Sequence, residues 1–293
     1  MRMLVVGLCA LLTACQGAAL LPPPAWLSPE GRDHADLGQI RDLRNDRTLT
    51  PAQLVEALAE APWVLIGEQH DNPDHHALQL WLLRGLAQQR PTGSLLLEML
   101  GPDQQARVDL AQAASRDGQP PPDLMGALSW QPGWDWSLYG PLLGYALRQP
   151  YPVRAANLSR AQMLQVYRQP SALPGAASTA PAVQTALLED IRHSHCGLLP
   201  EAQLPAMLAV QQQRDRRMAE ALLAAPAPAL LLAGAFHSRR DLGVPLHLAD
   251  LGAATGRVLI LAEVGKPVTA AQADFVWYSA ALPAQDHCAA LRR

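Results

Sequence analysis

The chain has 293 residues, of which 49% are hydrophobic and 17% charged, and its formal net charge at neutral pH is −3. This length and composition are enough for a full hydrophobic core in one large domain. The sequence contains neither basic blocks nor interleaved aromatic and basic residues, which are the usual signs of nucleic-acid binding. We therefore expect no nucleic-acid partner.

The first 14 residues have the pattern of a secretory signal peptide. Arg2 supplies a positive charge, and residues 4–12 form an apolar run too short to remain as a membrane span. The sequence Leu-Thr-Ala-Cys ending at Cys15 resembles a lipobox, in which the cysteine becomes the lipidated first residue. The alternative is an ordinary cleaved signal with an incidental cysteine. The lipobox predicts a Gram-negative envelope lipoprotein, and Gln16 after the cysteine favours the outer membrane.

Two cysteines, Cys196 and Cys288, remain when the leader is removed and Cys15 is lipidated. Disulfides form and persist in an oxidising periplasm, so two remaining thiols predict one bond between them. Two unpaired, buried cysteines are the alternative. The sequence thus predicts a Cys196–Cys288 disulfide.

A tether and one α/β domain are expected after the leader. Residues 15–40 contain three consecutive prolines and little periodicity, which predicts a tether that is semi-rigid where the prolines cluster. In residues 41–293, short apolar runs alternate with helical patterns. Such alternation predicts an α/β fold with a mainly parallel sheet flanked by helices.

Six apolar runs are predicted as strands, at residues 63–66, 94–97, 152–156, 229–233, 257–261 and 275–278. A capping box at Thr50 predicts one helix, and Pro73 begins another. The connections after the second and third strands are too long for simple crossovers. Their helical spacing predicts a small helical cap built from insertions at about 101–150 and 160–226, with a charged band at residues 214–217.

Polar residues follow the predicted strands where the apolar runs end. They are Glu68, His70, Glu98, Asn157, His237 and Glu263. The first and fourth strands both end in Gly-x-x-His, which gives His70 and His237 corresponding positions. Ligand sites of open α/β sheets lie beyond the carboxyl ends of the strands. We therefore expect His70 and His237 on one rim of a pocket.

Three chemistries fit such a rim. His70, His237 and a carboxylate can hold a divalent metal, because imidazole and carboxylate suit zinc or iron. A carboxylate and a histidine can also perform acid–base hydrolysis without a metal, and the candidate catalytic residues are then Glu68, His70, Glu98 and His237. The third alternative is a site that positions a cofactor and transforms nothing. The sequence contains neither His-Glu-x-x-His nor Cys-x-x-Cys, so no motif selects a metal.

Two further groups of side chains lie close to this rim in sequence. His75 and His76 begin the helix after the first strand, and because adjacent helical residues point about 100° apart, at most one of them can face the pocket. The alternative is that both are solvated. Residues 130–139 contain three tryptophans and Tyr139. These aromatic residues form either a lid over the pocket or the core of the first insertion.

In their order along the chain, these motifs resemble those of the ChaN-type haem-binding uptake lipoproteins, within the Tiki/erythromycin-esterase-like superfamily. The resemblance covers most of the chain from about Asp42 onward. The matching motifs are Gly-Glu-Gln-His-Asp-Asn-Pro from Gly67, the strand end at Glu98, Trp134 with Tyr139 and the following Pro-Leu, Ala-Asn at Asn157, His-Cys-Gly at Cys196, Gln-Arg-Asp from Gln213, and Gly-x-x-His from Gly234 with the following Gly-Val-Pro.

The resemblance implies a lipid-anchored α/β protein of the cell envelope that takes part in haem and iron acquisition. It also implies a homodimer that holds haem between protomers, with a tyrosine ligand assisted by histidine. No short motif fixes the tyrosine; Tyr139 ranks above Tyr167 as iron ligand, and the histidine candidates are His70, His75 and His237. Hydrolytic relatives use the Gly-Glu and Gly-x-x-His positions, so hydrolysis stays the alternative.

Overall fold

An eight-stranded mixed sheet runs through the part of the protein that the computed structural model describes, residues 20–254, 256–286 and 288–289. Its strands are β1 Ile40–Asp42, β2 Arg47–Leu49, β3 Trp63–Glu68, β4 Ser94–Leu97, β5 Val153–Ala155, β6 Ala229–Gly234, β7 Arg257–Glu263 and β8 Phe275–Ser279. They lie in the order β2-β1-β8-β7-β3-β6-β4-β5. All neighbours from β8 to β5 are parallel, whereas β1 is antiparallel to β2 and β8. The mainly parallel sheet is confirmed.

All six predicted strands are present, and the hairpin of β1 and β2 is an addition. Each strand of this hairpin has only three residues, and the side chains of β2 are largely exposed. Such short segments carry no alternation that a sequence pattern can detect.

The helices are α1 Pro51–Ala59, α2 Pro73–Gln89, α3 Gln105–Arg116, α4 Leu124–Ala127, α5 Trp136–Ala146, α6 Arg160–Arg168, α7 Pro181–Ser194, α8 Leu204–Ala224, α9 Ala235–Ser238 and α10 Val244–Asp250. Thr50 caps α1 through a complete capping box, and the Asn72 side chain accepts a hydrogen bond from the amide of Asp74 at the start of α2. Across the described residues, no helix is both long and apolar enough to cross a membrane.

The core has two layers because successive strand residues point to opposite faces of the sheet. On β3, Val64 and Ile66 point into one layer and Leu65 into the other. Helices α1, α2, α3 and α5 cover the first layer, and α8 and α10 cover the second. The two insertions therefore help to cover opposite faces of the sheet, and each also sends side chains to its carboxyl edge.

The segment expected as a tether packs against the body over its described part. The indole of Trp81 donates a hydrogen bond of 2.9 Å to the carbonyl oxygen of Leu21. Asp74, in the first turn of α2, accepts hydrogen bonds from the amides of residues 27 and 28. These contacts hold the segment along α2. The predicted signal peptide and the predicted lipidation site, Cys15, lie outside the described residues.

The predicted disulfide between Cys196 and Cys288 is confirmed, with the two Cα atoms 5.7 Å apart. Cys196 lies two residues beyond the end of α7, and Cys288 lies in the tail that follows β8. The bond therefore fastens the C-terminal tail to the end of α7.

Candidate functional site

A cleft of about 540 Å³ lies at the carboxyl ends of β3, β6 and β7. One side is formed by the strand ends, where parallel strands deliver their last residues to a common edge. The opposite wall is formed by α7, through Leu187 and Ile191. Three histidines line the cleft: His70, His75 and His237. The structure thus brings together the two histidines of the matching Gly-x-x-His motifs.

Glu68, the buried last residue of β3, holds the ring of His70. Its Oε1 lies 2.8 Å from Nδ1 of His70 and accepts a hydrogen bond of 2.7 Å from the hydroxyl of Tyr139. Its Oε2 lies 3.3 Å from Nε2 of His76. Burial lowers the pKa of His70, but the hydrogen bond to Glu68 and the charges of Glu98 and Glu68 outweigh it, so the pKa is raised.

Tyr139 lies behind Glu68 and is absent from the cleft lining. Only 1% of this residue is exposed, and the rings of His76 and Trp134 pack against it. Burial, followed by the charge and hydrogen bond of Glu68, raises the pKa of the phenol far above its usual value. A tyrosinate ligand needs a deprotonated oxygen that reaches the metal. In this structure the Tyr139 hydroxyl donates to Glu68, and its expected role as iron ligand stays a prediction.

The remaining aromatic candidates are placed as follows. Tyr167 is half-buried on α6, outside the residues that line the cleft. Trp130 and Trp136 pack edge to face with ring centroids 5.3 Å apart, and Trp130 lies against Tyr139. Most of the tryptophan-rich stretch is therefore core of the first insertion. Trp134 is half-buried and also touches His70, with ring centroids 4.8 Å apart.

Glu98, directly after β4, is the centre of a second buried cluster. It accepts hydrogen bonds from Arg214 (2.5 Å) and from the amide of Gly234 (2.7 Å), and Nε2 of His237 lies 3.4 Å away. Burial alone would raise the pKa of Glu98. The nearby charges of His237, Arg214 and His70, together with the Gly234 amide, outweigh that effect and lower the pKa to about 2. Glu98 is therefore a carboxylate at neutral pH.

Two residues of α8 complete this cluster, and sequence reasoning treated both as part of a charged helix band. Arg214 binds Glu98, and Oδ1 of Asp215 lies 2.5 Å from Nδ1 of His237. Nδ1 of His237 is also 3.1 Å from Nε2, the side-chain amide nitrogen, of Gln211. The Gln-Arg-Asp motif marked this part of α8 in the sequence. It did not show which of its side chains point towards the cleft, because that depends on how α8 packs against the sheet.

His75 is fully buried, and both of its ring nitrogens are bonded. Nδ1 accepts a hydrogen bond of 2.9 Å from the backbone amide of Gln69, and Nε2 lies 2.9 Å from the hydroxyl of Ser279. Burial, followed by the charges of His76 and Lys266, lowers the pKa of His75 to about 3. His75 is therefore a neutral residue that ties α2 to β3 and β8.

Gly234 leaves room for the imidazole of His70. A Cβ at this position would lie 2.9 Å from both Cε1 and Nε2 of His70, and 3.6 Å from Oε2 of Glu98. The glycine of the second Gly-x-x-His motif is thus needed for close approach of His70 to the end of β6.

The divalent-metal alternative finds no preformed site in the described part of the chain, where no three His, Cys, Asp or Glu side chains are grouped around a common point. His237 does not contribute to such a metal site, because its two ring nitrogens already face the carboxylates of Asp215 and Glu98. The rim instead consists of two separate pairs, Glu68 with His70 and Asp215 with His237.

These features define a cleft lined by carboxylate–imidazole pairs at the strand ends of an α/β sheet that is covered on both faces. The family model for haem-binding uptake, Tiki superfamily, ChaN matches residues 54–248. The chain therefore belongs to the ChaN family of the Tiki superfamily.

One solved structure, described as cofacial heme binding to ChaN of Campylobacter jejuni, is 27% identical and has a TM-score of 0.74. That match covers 82% of this chain and 95% of the other. An erythromycin esterase is 14% identical with a TM-score of 0.47, covering 81% of this chain and 82% of the other. No curated protein matches the chain significantly.

Proposed function

We propose that this protein binds haem in the cleft beyond β3, β6 and β7 and takes part in haem and iron acquisition at the cell envelope. The observation that carries the proposal is an imidazole, His70, presented to an apolar cleft in a chain of the haem-binding ChaN family. The 43% exposure of its side chain leaves the ring accessible from the cleft.

The residues of the cleft fit the chemistry of haem. A porphyrin is a flat, largely apolar ring, and Leu187, Ile191 and Phe236 offer apolar contact surface. Haem also carries two carboxylates, and the cleft lining includes the cations Arg239 and Lys266. These now pair with Asp241 and Glu263, and would exchange those partners for the haem carboxylates. Bound haem would supply an iron centre, and the chain would hold and orient it.

We also propose that haem binding joins two protomers. Phe236 lines the cleft, and 59% of its surface is exposed. The C. jejuni relative is described as binding haem cofacially. Two protomers that present their clefts to each other would place two haems face to face and cover both copies of Phe236.

Titration of the purified protein with hemin should give a saturable change in visible absorbance at about one haem per protomer, with a rise in mass to that of a dimer. Phe236→Ser should weaken binding, because it removes apolar surface from the cleft. Leu110→Ser is the matched control, since Leu110 on α3 is 73% exposed and lies outside the cleft. Absorbance titration measures haem binding, and light scattering measures the mass of the complex.

Hydrolysis is the second candidate function, and the two carboxylate–imidazole pairs favour it. A carboxylate that binds Nδ1 of a histidine orients Nε2 for proton transfer. Glu68 does so for His70, and Asp215 does so for His237, on the same cleft. A protein that shows no saturable change with hemin but has a hydrolytic turnover that is lost in Glu68→Gln or His237→Ala would replace the haem proposal with hydrolysis.

We propose that the mature protein is an outer-membrane lipoprotein anchored through Cys15, as its lipobox-like leader suggests. Cys15→Ser should move the protein from the membrane fraction into the soluble periplasmic fraction, because the acyl chains can no longer be attached. Fractionation with detergent partitioning measures this. Unchanged partitioning of the variant would contradict the anchor.

A further inference from the structure

We propose that the surface formed by residues 20–24 and the second half of α2 lies on a lipid bilayer, so that the folded body touches the membrane beside its anchor. This contact presupposes the proposed anchor at Cys15, and it adds an interaction that the anchor alone does not require. Three features of the molecule support it: a groove on this surface, the charges around the groove, and its distance from Cys15 along the chain.

The groove is formed where the N-terminal segment crosses α2, and it has a volume of about 300 Å³. Its lining is mostly apolar and consists of Leu20, Leu21, Pro22, Pro24, Ala77, Leu80, Trp81, Arg84, Gly85 and Gln88. Gly85 gives Leu20 room to pack, because a Cβ there would lie 3.3 Å from Cδ2 of Leu20. The carbonyl oxygen of Leu21 accepts a hydrogen bond from Trp81, whereas 62% of Leu21 is exposed. The fixed segment thus presents an apolar side chain to its surroundings.

The charges around the groove suit a membrane surface. Residues 16–29 contain no charged side chain, and Asp74, the one acidic residue of α2, lies in its first turn at the far end of the helix. Arg84 is exposed, and its guanidinium carbon lies 5.2 Å from the centre of the Tyr145 ring. Cations next to a bilayer are attracted by the negative charge of its lipids. Arg84 would therefore meet headgroup phosphates where Leu21 meets acyl chains.

The proposed anchor brings a bilayer within reach of the groove. Five residue steps separate Cys15 from Leu20, and a fully extended chain of that length spans at most about 18 Å. Apolar side chains at a membrane interface enter the boundary between headgroups and acyl chains, and the binding grows with the apolar area that is buried. Lipid is the one partner that an acylated Cys15 always holds at this distance, which favours it over a second copy of the chain.

The cleft lies at the other end of α2. This helix follows the carboxyl end of β3 and leads to β4, so it starts at the edge of the sheet that carries the cleft. Arg84 and Gly85 lie near its end, and at 1.5 Å per residue Gly85 is roughly 16 Å from Asp74 along the helix. Contact at the groove therefore leaves the cleft open to solution.

The test uses the lipidated protein in vesicles of phosphatidylethanolamine and phosphatidylglycerol, with one polarity-sensitive fluorophore attached at Leu21→Cys. The new cysteine would be the free thiol of the mature protein, because lipidation occupies Cys15 and the disulfide occupies Cys196 and Cys288. On vesicles the fluorophore should become several-fold less accessible to iodide in the water, and a nitroxide attached to the lipids should quench it. Leu110→Cys is the matched control, since Leu110 is 73% exposed and lies outside the groove. Its fluorophore should stay accessible to iodide.

Arg84→Glu, added to the labelled Leu21→Cys protein, should return the accessibility of the fluorophore towards its value in solution, because a carboxylate is repelled by headgroup phosphates. Arg107→Glu makes the same change at an exposed site on α3 and should have no such effect. Far-ultraviolet circular dichroism establishes that each variant is folded.

Equal iodide accessibility of the two labelled sites on vesicles would overturn the proposed contact and leave the anchor intact. Protection at Leu21 that is equally strong in unlipidated Cys15→Ser protein in solution would also overturn it, because another copy of the chain would then cover the groove. Mass spectrometry that finds no acyl chains on the wild type would overturn the anchor and the contact together, so the two failures are distinguishable.

Discussion

Reduction of the disulfide between Cys196 and Cys288 should lower the free energy of unfolding by about 4–5 kcal/mol at 25 °C, which is the value that the chain-entropy model assigns to a loop of this size. The two cysteines are 92 residues apart in sequence, so the bond removes many conformations from the unfolded chain. The effect should extend to the cleft. Cys196 lies next to the end of α7, whose side chains Leu187 and Ile191 form one wall.

Denaturant unfolding of the oxidised and reduced protein measures this loss, with the Cys196→Ala/Cys288→Ala double variant as the control. The double variant should unfold at the midpoint of the reduced protein and should not respond to reductant. Equal midpoints for the oxidised and reduced wild type would contradict the prediction. Peptide mapping without reductant establishes which form is present.

Acidification from pH 7 to pH 4 should lower the free energy of unfolding by about 3 kcal/mol through His75 alone, since one unit of pKa shift corresponds to about 1.4 kcal/mol. Burial holds the pKa of His75 at about 3 in the folded protein, compared with its usual value of 6.5. As the pH falls below 6.5, the unfolded chain binds a proton that the folded protein does not. Stability is therefore lost between pH 6.5 and pH 3, and this residue adds no further loss below that range.

Urea unfolding at several pH values tests this through His75→Gln, which removes the titrating group and keeps a polar side chain. The variant should be less stable at pH 7, because Gln69 and Ser279 lose their present partners. Its stability should nevertheless fall less steeply between pH 6.5 and pH 4. His34→Gln is the matched histidine-to-glutamine change at an exposed site. Parallel slopes for wild type and His75→Gln would refute the assignment.

The sheet and the strand-end residues could be predicted because each of them is marked by a pattern within a short stretch of sequence. Each buried parallel strand is a short apolar run, and each polar residue that ends a run must lie at the same edge. That argument placed Glu68, Glu98 and His237 before any contact was known. It could not supply the partners of these residues, because Tyr139 and Arg214 reach them from helices 71 and 116 residues further along the chain.

The surroundings of Tyr139 could not be predicted, because a sequence pattern names residue types and not what packs around them. Tyr139 has the right chemistry, but its environment depends on how α5 packs against α2 and β3. Burial beside Glu68 keeps its phenol protonated and turned away from the cleft. His70 has the same Gly-x-x-His pattern as His237, and only the structure shows that Nδ1 of His70 contacts Glu68 whereas Nδ1 of His237 contacts Asp215.

The packing of the N-terminal segment along α2 bears on how far the folded body can lie from a membrane anchor. With an anchor at Cys15, only the four residues 16–19 separate the lipid from the described chain at Leu20. The five residue steps from Cys15 to Leu20 span at most about 18 Å when fully extended. With that anchor, the protein would not diffuse freely through the periplasm. The body would work within a molecular diameter of the bilayer, so haem would have to be handed over at the membrane surface and not carried across the periplasm.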